Sequence, residues 1–293
     1  MSQKCKVAVA QYDIGFFNHF DEFAAKLEGW FQHAYQQNAE LLVFPEYGSM
    51  ELASVFGETV YSDLHQQLYA MQSLYKDYQA CYAEFAKRYN TLVLASSFPL
   101  QITDRSFRNR ANLFGPDGLI GYQDKLIMTR FENEQWIIAA GEDIHVLHTD
   151  IGNIGINICY DSEFPIFAQQ QVAAGVDLLL VPSCTDGTRG FNRVRIGCQA
   201  RALENQCYVL HSPTVGNASW SPAVDCNTGN ASIYTPVDRG FPADGILAQL
   251  KNDQAQWLFA ELDMAEIAHI RQEGQVLNHR DWHKQFLARL TVR

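Results

Sequence analysis

Residues 155–165 read Gly-Ile-Asn-Ile-Cys-Tyr-Asp-Ser-Glu-Phe-Pro, an apolar run that ends in a thiol and turns polar at once. The β-rich residues up to Ile158 predict a buried strand. Asp161, Ser162 and Glu163, then Phe164 to Ala174 and a closing Gly175, predict the start, body and C-cap of a helix. A residue at such an elbow has its side chain exposed at a sheet edge. The N–H groups of the new helix point at the same space, where they favour a thiolate and can hold an oxyanion. A lone Cys after a strand is more often a small buried hydrophobe, so Cys159 needs partners.

Two partners stand at the ends of other strands. Leu41-Leu42-Val43-Phe44-Pro45-Glu46 is a buried strand that ends in an acid, and Lys125 follows the short strand signal Leu119 to Tyr122. Layered α/β proteins put catalytic groups at strand ends of this kind. Alone, Glu46 reads as a structural acid and Lys125 as a solvated charge; the three together do not.

Around these points β and α signals alternate without a linker, which predicts one domain. A strand over 6–12 precedes an amphipathic helix over 19–38. Leu64, Leu68, Met71, Tyr75, Tyr78, Tyr82 and Phe85 step by four and three, which predicts a continuous helix over 62–89 with Ser62 and Asp63 at its start. A strand over 91–96 and a hairpin around Gly115-Pro116-Asp117-Gly118 follow. The second half adds a hairpin leading to Cys159, a strand over 176–181 closed by Pro182, a helix over 191–205 and a strand over 207–211. A polar loop over 213–229 precedes three strands and a helix near 263–272. The expected domain is 1–272, with a less regular C-terminal extension, 273–293, placed at a subunit interface.

Composition narrows the chemistry. With 47% apolar and 19% charged residues over 293 positions the chain is globular, and a formal charge of −11 argues against nucleic acid or an anionic membrane as partner. No apolar stretch approaches the ~18–20 residues of a membrane span. Gln11 and Asp13 come too early for a signal peptide. Seven scattered cysteines read as reduced thiols in a cytoplasmic protein. His145 with His148, and His279 with His283, have ligand-like spacing but no evident third ligand, so neither a metal nor another cofactor is expected.

The chain resembles the nitrilase superfamily of carbon–nitrogen hydrolases. The resemblance rests on Val7-Ala8-Val9-Ala10-Gln11, Phe44-Pro45-Glu46, Asp124-Lys125 and Ile158-Cys159-Tyr160-Asp161, and on Arg201-Ala202-Leu203-Glu204-Asn205-Gln206-Cys207-Tyr208-Val209. It implies a four-layer α-β-β-α sandwich, a homodimer or larger assembly formed through an outer helical face, and a Glu46-Lys125-Cys159 triad. Glu46 is then the base, and Lys125 with the N–H of Tyr160 binds the oxyanion.

A second glutamate often assists in that family, seven residues before a Gly; Glu134, seven before Gly141, is the choice and Glu132 its close rival. Tyr47, Trp136, Cys184, Thr185 and Asp186 are expected as pocket walls. Glu163 stands where many amidase-type members carry Arg, which points away from carboxylate-bearing substrates. Tyr160-Asp161 in place of Trp-Glu points to amides over nitriles. The expected reaction is cleavage of a small amide through a Cys159 thioester. Carbamoyl-amine and nitrile hydrolysis, acyl transfer to an amine, and a catalytically inert binding protein on the same scaffold are the alternatives.

Overall fold

The computed structural model describes residues 4–292. Its centre is β1 (Lys4–Asp13), paired in parallel with β2 (Leu41–Val43) and antiparallel with a late strand, Gln256–Asp263. Beyond β2 lie β3 (Leu92–Leu94), β4 (Phe98–Thr103), β5 (Ser106–Gly115) and β6 (Gly118–Asp124). The second sheet runs β7 (Leu147–Thr149), β8 (Gly152–Ile156), β9 (Leu178–Ser183) and β10 (Tyr208–Asn217), then Ser232–Tyr234 and Ile246–Gln249. The two sheets meet where the end of β1 pairs with β10, Tyr12 opposite Thr214 and Asp13 opposite Val215.

Side-chain alternation explains the layering. Along β1, Cys5, Val7 and Val9 join Leu41, Val43, Ile154, Leu179 and Val181 in a core between the sheets. The intervening Ala8, Ala10 and Tyr12 pack outward with Leu42 and Phe44 against Phe23, Leu27 and Phe31 of the helix Phe20–Gln36. Period-two strands with both faces apolar must be covered on both sides. Helices Phe20–Gln36 and Tyr75–Arg88 cover the first sheet, and Pro165–Ala173 and Thr188–Asn205 cover the second. The result is the four-layer α-β-β-α sandwich.

Three expectations are corrected. The helix over 62–89 is broken into Gln66–Met71, a tight turn over Gln72–Leu74, and Tyr75–Arg88. Gln72 accounts for the break: its amide donates to the carbonyls of Leu68 and Pro99 and accepts from the N–H of Gln101, tying the turn to β4. Leu68, Met71, Tyr78, Tyr82 and Phe85 of the apolar stripe nevertheless stay buried, Leu64 and Tyr75 half-buried, and Asp63 caps the first piece through the N–H groups of His65 and Gln66. Next, β9 continues through Pro182 to Ser183. Finally, the predicted loop over 213–229 begins as strand, because β10 bridges the sheets. Ser212 donates to the carbonyls of Ala10 and Val43, and Thr214 pairs with Tyr12.

The C-terminal segment is anchored at its start, where the Gln206 side chain bonds the carbonyl of Val276 and the N–H of His279. Farther on, Phe286, Leu287 and Leu290 are exposed. Among the described residues, no helix is long and apolar enough to cross a membrane.

Candidate active site

Glu46 follows β2, Lys125 follows β6 and Cys159 follows β8, so the architecture delivers all three to one edge of the sandwich. Cys159 has φ +51°, a left-handed backbone that a residue with a Cβ adopts at a cost. The tight turn Cys159–Glu163 separates it from the helix that starts at Pro165. Asp161 holds this turn to the Lys125 loop. Its carboxylate accepts from the N–H of Leu126 at 3.1 Å, of Ile127 at 2.8 Å and of Ile158 at 3.3 Å.

Lys125 is fully buried between two carboxylates, 2.8 Å from Glu46 Oε1 and 2.8 and 2.7 Å from Glu132 Oε1 and Oε2. Glu46 also accepts from Asn109 Nδ2 at 2.9 Å and, through its other oxygen, from the N–H of Cys184 at 2.8 Å. The Cys159 thiol donates to the carbonyl of Cys184 at 3.9 Å and feels the charges of Glu46 and Lys125. Glu132 accepts from Thr129 N and Oγ1, each at 2.9 Å, and from the Tyr47 hydroxyl at 2.8 Å.

These surroundings drive the two carboxylates apart. Burial raises Glu46, and the Lys125 charge only partly opposes it while Glu132 adds to it. Burial also acts on Glu132, but Lys125 and the bonds from Lys125, Thr129 and Tyr47 outweigh it, so Glu132 lies below the ordinary range. Lys125 is desolvated too, yet the charges of Glu132 and Glu46 hold its ammonium well above the usual lysine value. Burial, then the Glu46 charge, pushes the Cys159 thiol well up, so the resting sulfur carries its proton. Asp161 is pushed up to about 7 by burial, against the pull of Lys125 and its backbone bonds.

Two adjoining pockets border these groups. The outer chamber, about 270 Å³, is lined by Cys159, Tyr160, Glu163, Cys184 and Thr185. A smaller inner chamber, about 70 Å³, is lined by Glu46, Tyr47, Lys125, Glu132 and Trp136. Phe131 and Cys184 border both. Thr185 donates to the carbonyl of Thr228, Glu163 faces Arg193 at 3.4 Å, and Asp186 is at the exposed rim. Trp136 is buried behind Tyr47, with ring centroids 4.7 Å apart, and its indole N–H donates to the carbonyl of Leu64 at 3.0 Å.

Glu134 is not among these groups. It is exposed and pairs with Arg130 at 2.8 Å, while Glu132 points inward. The reason is local: Thr129 caps the helix Arg130–Glu134, and Glu132 is the third residue of its capping box. Two residues further on, a helix presents nearly its opposite face. The Thr129-x-x-Glu132 pattern was the available signal. Asn109 and Asp161 are further residues that sequence reasoning did not assign. Asn109 lies mid-strand on β5, where only tertiary packing reveals its bond to Glu46.

Comparison with known proteins shows the family. Residues 6–272 match the carbon-nitrogen hydrolase family model, and the chain belongs to that family. It is 32% identical over 276 residues to the probable hydrolase YhcX of Bacillus subtilis, covering 94% of this chain and 53% of that protein. It is 30% identical over 194 residues to the chloroplastic omega-amidase of Arabidopsis thaliana, covering 63% of this chain and 49% of that one. The chain thus spans about half the length of these two relatives. Its fold matches that of Saccharomyces cerevisiae Nit3, a member of branch 10 of the nitrilase superfamily, with a TM-score of 0.74 at 21% identity over 93% of this chain and 94% of that one.

Proposed function

We propose that this chain is an amidase that hydrolyses the C–N bond of a small amide through a thioester on Cys159, releasing ammonia or an amine. The observation that carries the reading is that the Cys159 thiol and a buried Glu46–Lys125 pair line two adjoining pockets that share Phe131 and Cys184. A family of carbon–nitrogen hydrolases and a relative described as an omega-amidase support it.

The thiol is protonated at rest, so attack requires a base, and the raised Glu46 carboxylate is suited to that task. As sulfur bonds to the amide carbon, Glu46 takes the thiol proton and the carbonyl π pair moves to oxygen. Once neutral, Glu46 releases its hold on a Lys125 N–H, which turns to the oxyanion beside the N–H of Tyr160. Loss of one such donor typically raises the barrier by about 2.7–4 kcal/mol. The carbonyl re-forms as the C–N bond breaks, and Glu46 returns the proton to nitrogen. Water then attacks the thioester, Glu46 takes its proton, and the sulfur leaves and is reprotonated.

Glu163 lines the outer chamber, paired with Arg193 at 3.4 Å, at the position where many amidase-type members carry Arg, so we assign neutral or amine-bearing amides as the substrates. Faster turnover of an α-carboxylate amide than of its uncharged analogue overturns that assignment. The primary test is ammonia release and intact-protein mass spectrometry of wild type and Cys159→Ala with amides, carbamoyl amines and nitriles. A Cys159-dependent acyl adduct is expected. Equal turnover by Cys159→Ala rules the mechanism out, and an inert wild type favours a binding role.

We also propose a cytoplasmic homodimer. All seven cysteines are free thiols, in keeping with a reducing compartment. Helices Pro165–Ala173 and Thr188–Asn205 expose Ile166, Ile196 and Leu203, which with the extension over 273–293 would form the interface. Sedimentation equilibrium of wild type against Ile196→Glu tests the dimer, which a monomeric wild type excludes.

A further inference from the structure

Tyr47 adopts φ +55° immediately after Glu46, a conformation that is costly for a bulky side chain. A glycine would relieve it, yet this position carries a buried phenol anchored at three points. Its N–H donates to Ser97 Oγ at 2.9 Å, its ring packs on Trp136, and its hydroxyl donates to Glu132 Oε1 at 2.8 Å. The hydroxyl is therefore committed to Glu132, while the residue borders the inner chamber.

We propose that Tyr47 is a positioning residue: with Thr129 it fixes Glu132 as the permanent anion on Lys125, leaving Glu46 as the carboxylate that exchanges a proton with Cys159. The inference rests on the thioester reading above. Lys125 lies between two carboxylates of the same chemistry, and they differ in their other partners. Glu132 accepts three times from hydroxyls and an N–H of Tyr47 and Thr129, whereas Glu46 accepts from Asn109 and from the N–H of Cys184 and its charge acts on the Cys159 thiol. The ordinary acidities thus diverge, as an acid–base pair requires. The titratable groups around Glu132 are Lys125, Glu46, Tyr47, Cys159, Asp161 and Cys184.

The test needs no known substrate. Alkylation of Cys159 by chloroacetamide is followed by mass spectrometry as a function of pH for wild type, Tyr47→Phe, Ser97→Ala and Glu46→Gln. Loss of the hydroxyl leaves Glu132 easier to protonate, so Tyr47→Phe is expected to slow alkylation roughly tenfold and move its acid limb to higher pH. Ser97→Ala frees the Tyr47 backbone but keeps the hydroxyl. It should melt lower and retain the wild-type acid limb. A wild-type rate and acid limb in Tyr47→Phe overturns the proposal, and so does an equal displacement in Ser97→Ala, which makes the effect one of packing. If wild-type Cys159 reacts no faster than the exposed Cys226, or Glu46→Gln reacts like wild type, the thioester reading fails and the role of Tyr47 falls with it.

Discussion

Asp161 accepts the backbone N–H of Ile127 at 2.8 Å, fastening the loop that carries Lys125 to the turn that carries Cys159. The same carboxylate also bonds Leu126 and Ile158, so one side chain sets the spacing between Cys159 and Lys125. Asp161→Ala leaves these N–H groups without their acceptor in a buried site, at a cost of about 1–3 kcal/mol each. A lower melting temperature and a fall in kcat of at least roughly tenfold are expected, with KM little changed. Asp161→Asn keeps an acceptor oxygen and should recover part of the loss. Wild-type kcat in Asp161→Ala would remove the positioning role.

Glu132 and Glu134 separate cleanly by mutation. Glu134→Gln breaks an exposed pair with Arg130, so stability should stay within about 0.5 kcal/mol of wild type and activity should be unaffected. Glu132→Gln removes a charge held by Lys125, Thr129 and Tyr47, and should abolish most turnover while leaving the fold cooperative. Steady-state kinetics with circular dichroism melts decide the matter. An active Glu132→Gln with an inactive Glu134→Gln would invert the assignment.

The contrast between those glutamates shows what the sequence could convey. Glu46, Lys125 and Cys159 could be set side by side because each follows a strand signal, and the family resemblance is what joined them into one set. Choosing between Glu132 and Glu134 required noticing that Thr129 caps its helix, a signal present but outweighed by spacing to Gly141. The bond from Asn109 to Glu46 joins residues 63 positions apart, with no local trace. The break at Gln72 was hidden for a similar reason: the stripe from Leu68 to Phe85 keeps helical spacing across it, and the cause is β4. Ser212 and Thr214 read as loop by composition because their strand role comes from bridging two sheets.

Lys125 compensates two buried carboxylates, so its removal should damage the fold as well as the chemistry. Breaking a buried pair from one side typically costs about 3–5 kcal/mol, because an uncompensated charge remains inside. Lys125→Met should therefore lower stability by about that amount in urea titrations at neutral pH. A second change, Glu132→Gln in the Lys125→Met background, removes one stranded charge and should recover part of the loss. Additive destabilisation in the double variant would mean that the two residues are not energetically coupled.

His211 supplies the clearest pH signature of the folded state. It is wholly buried, its Nε2 lies 2.7 Å from Ser183 Oγ, and Phe191 stacks on its ring; burial lowers its pKa to about 3 from an ordinary 6.5. Between those values the unfolded chain binds a proton that the folded chain refuses. This contribution to stability is complete above the unfolded pKa and is lost as pH falls toward the folded one. Asp161 acts in the opposite sense, since its folded pKa of about 7 lies above its ordinary 3.8; its contribution declines as pH rises through that window. The His211 term is therefore read as a difference between variants. His211→Gln removes the titrating group, so on going from about pH 7.5 to about pH 4.5 wild type should lose about 2–3 kcal/mol relative to the variant. Chemical denaturation at the two pH values measures this difference. Parallel changes in both proteins would show that folding leaves the His211 pKa at its ordinary value.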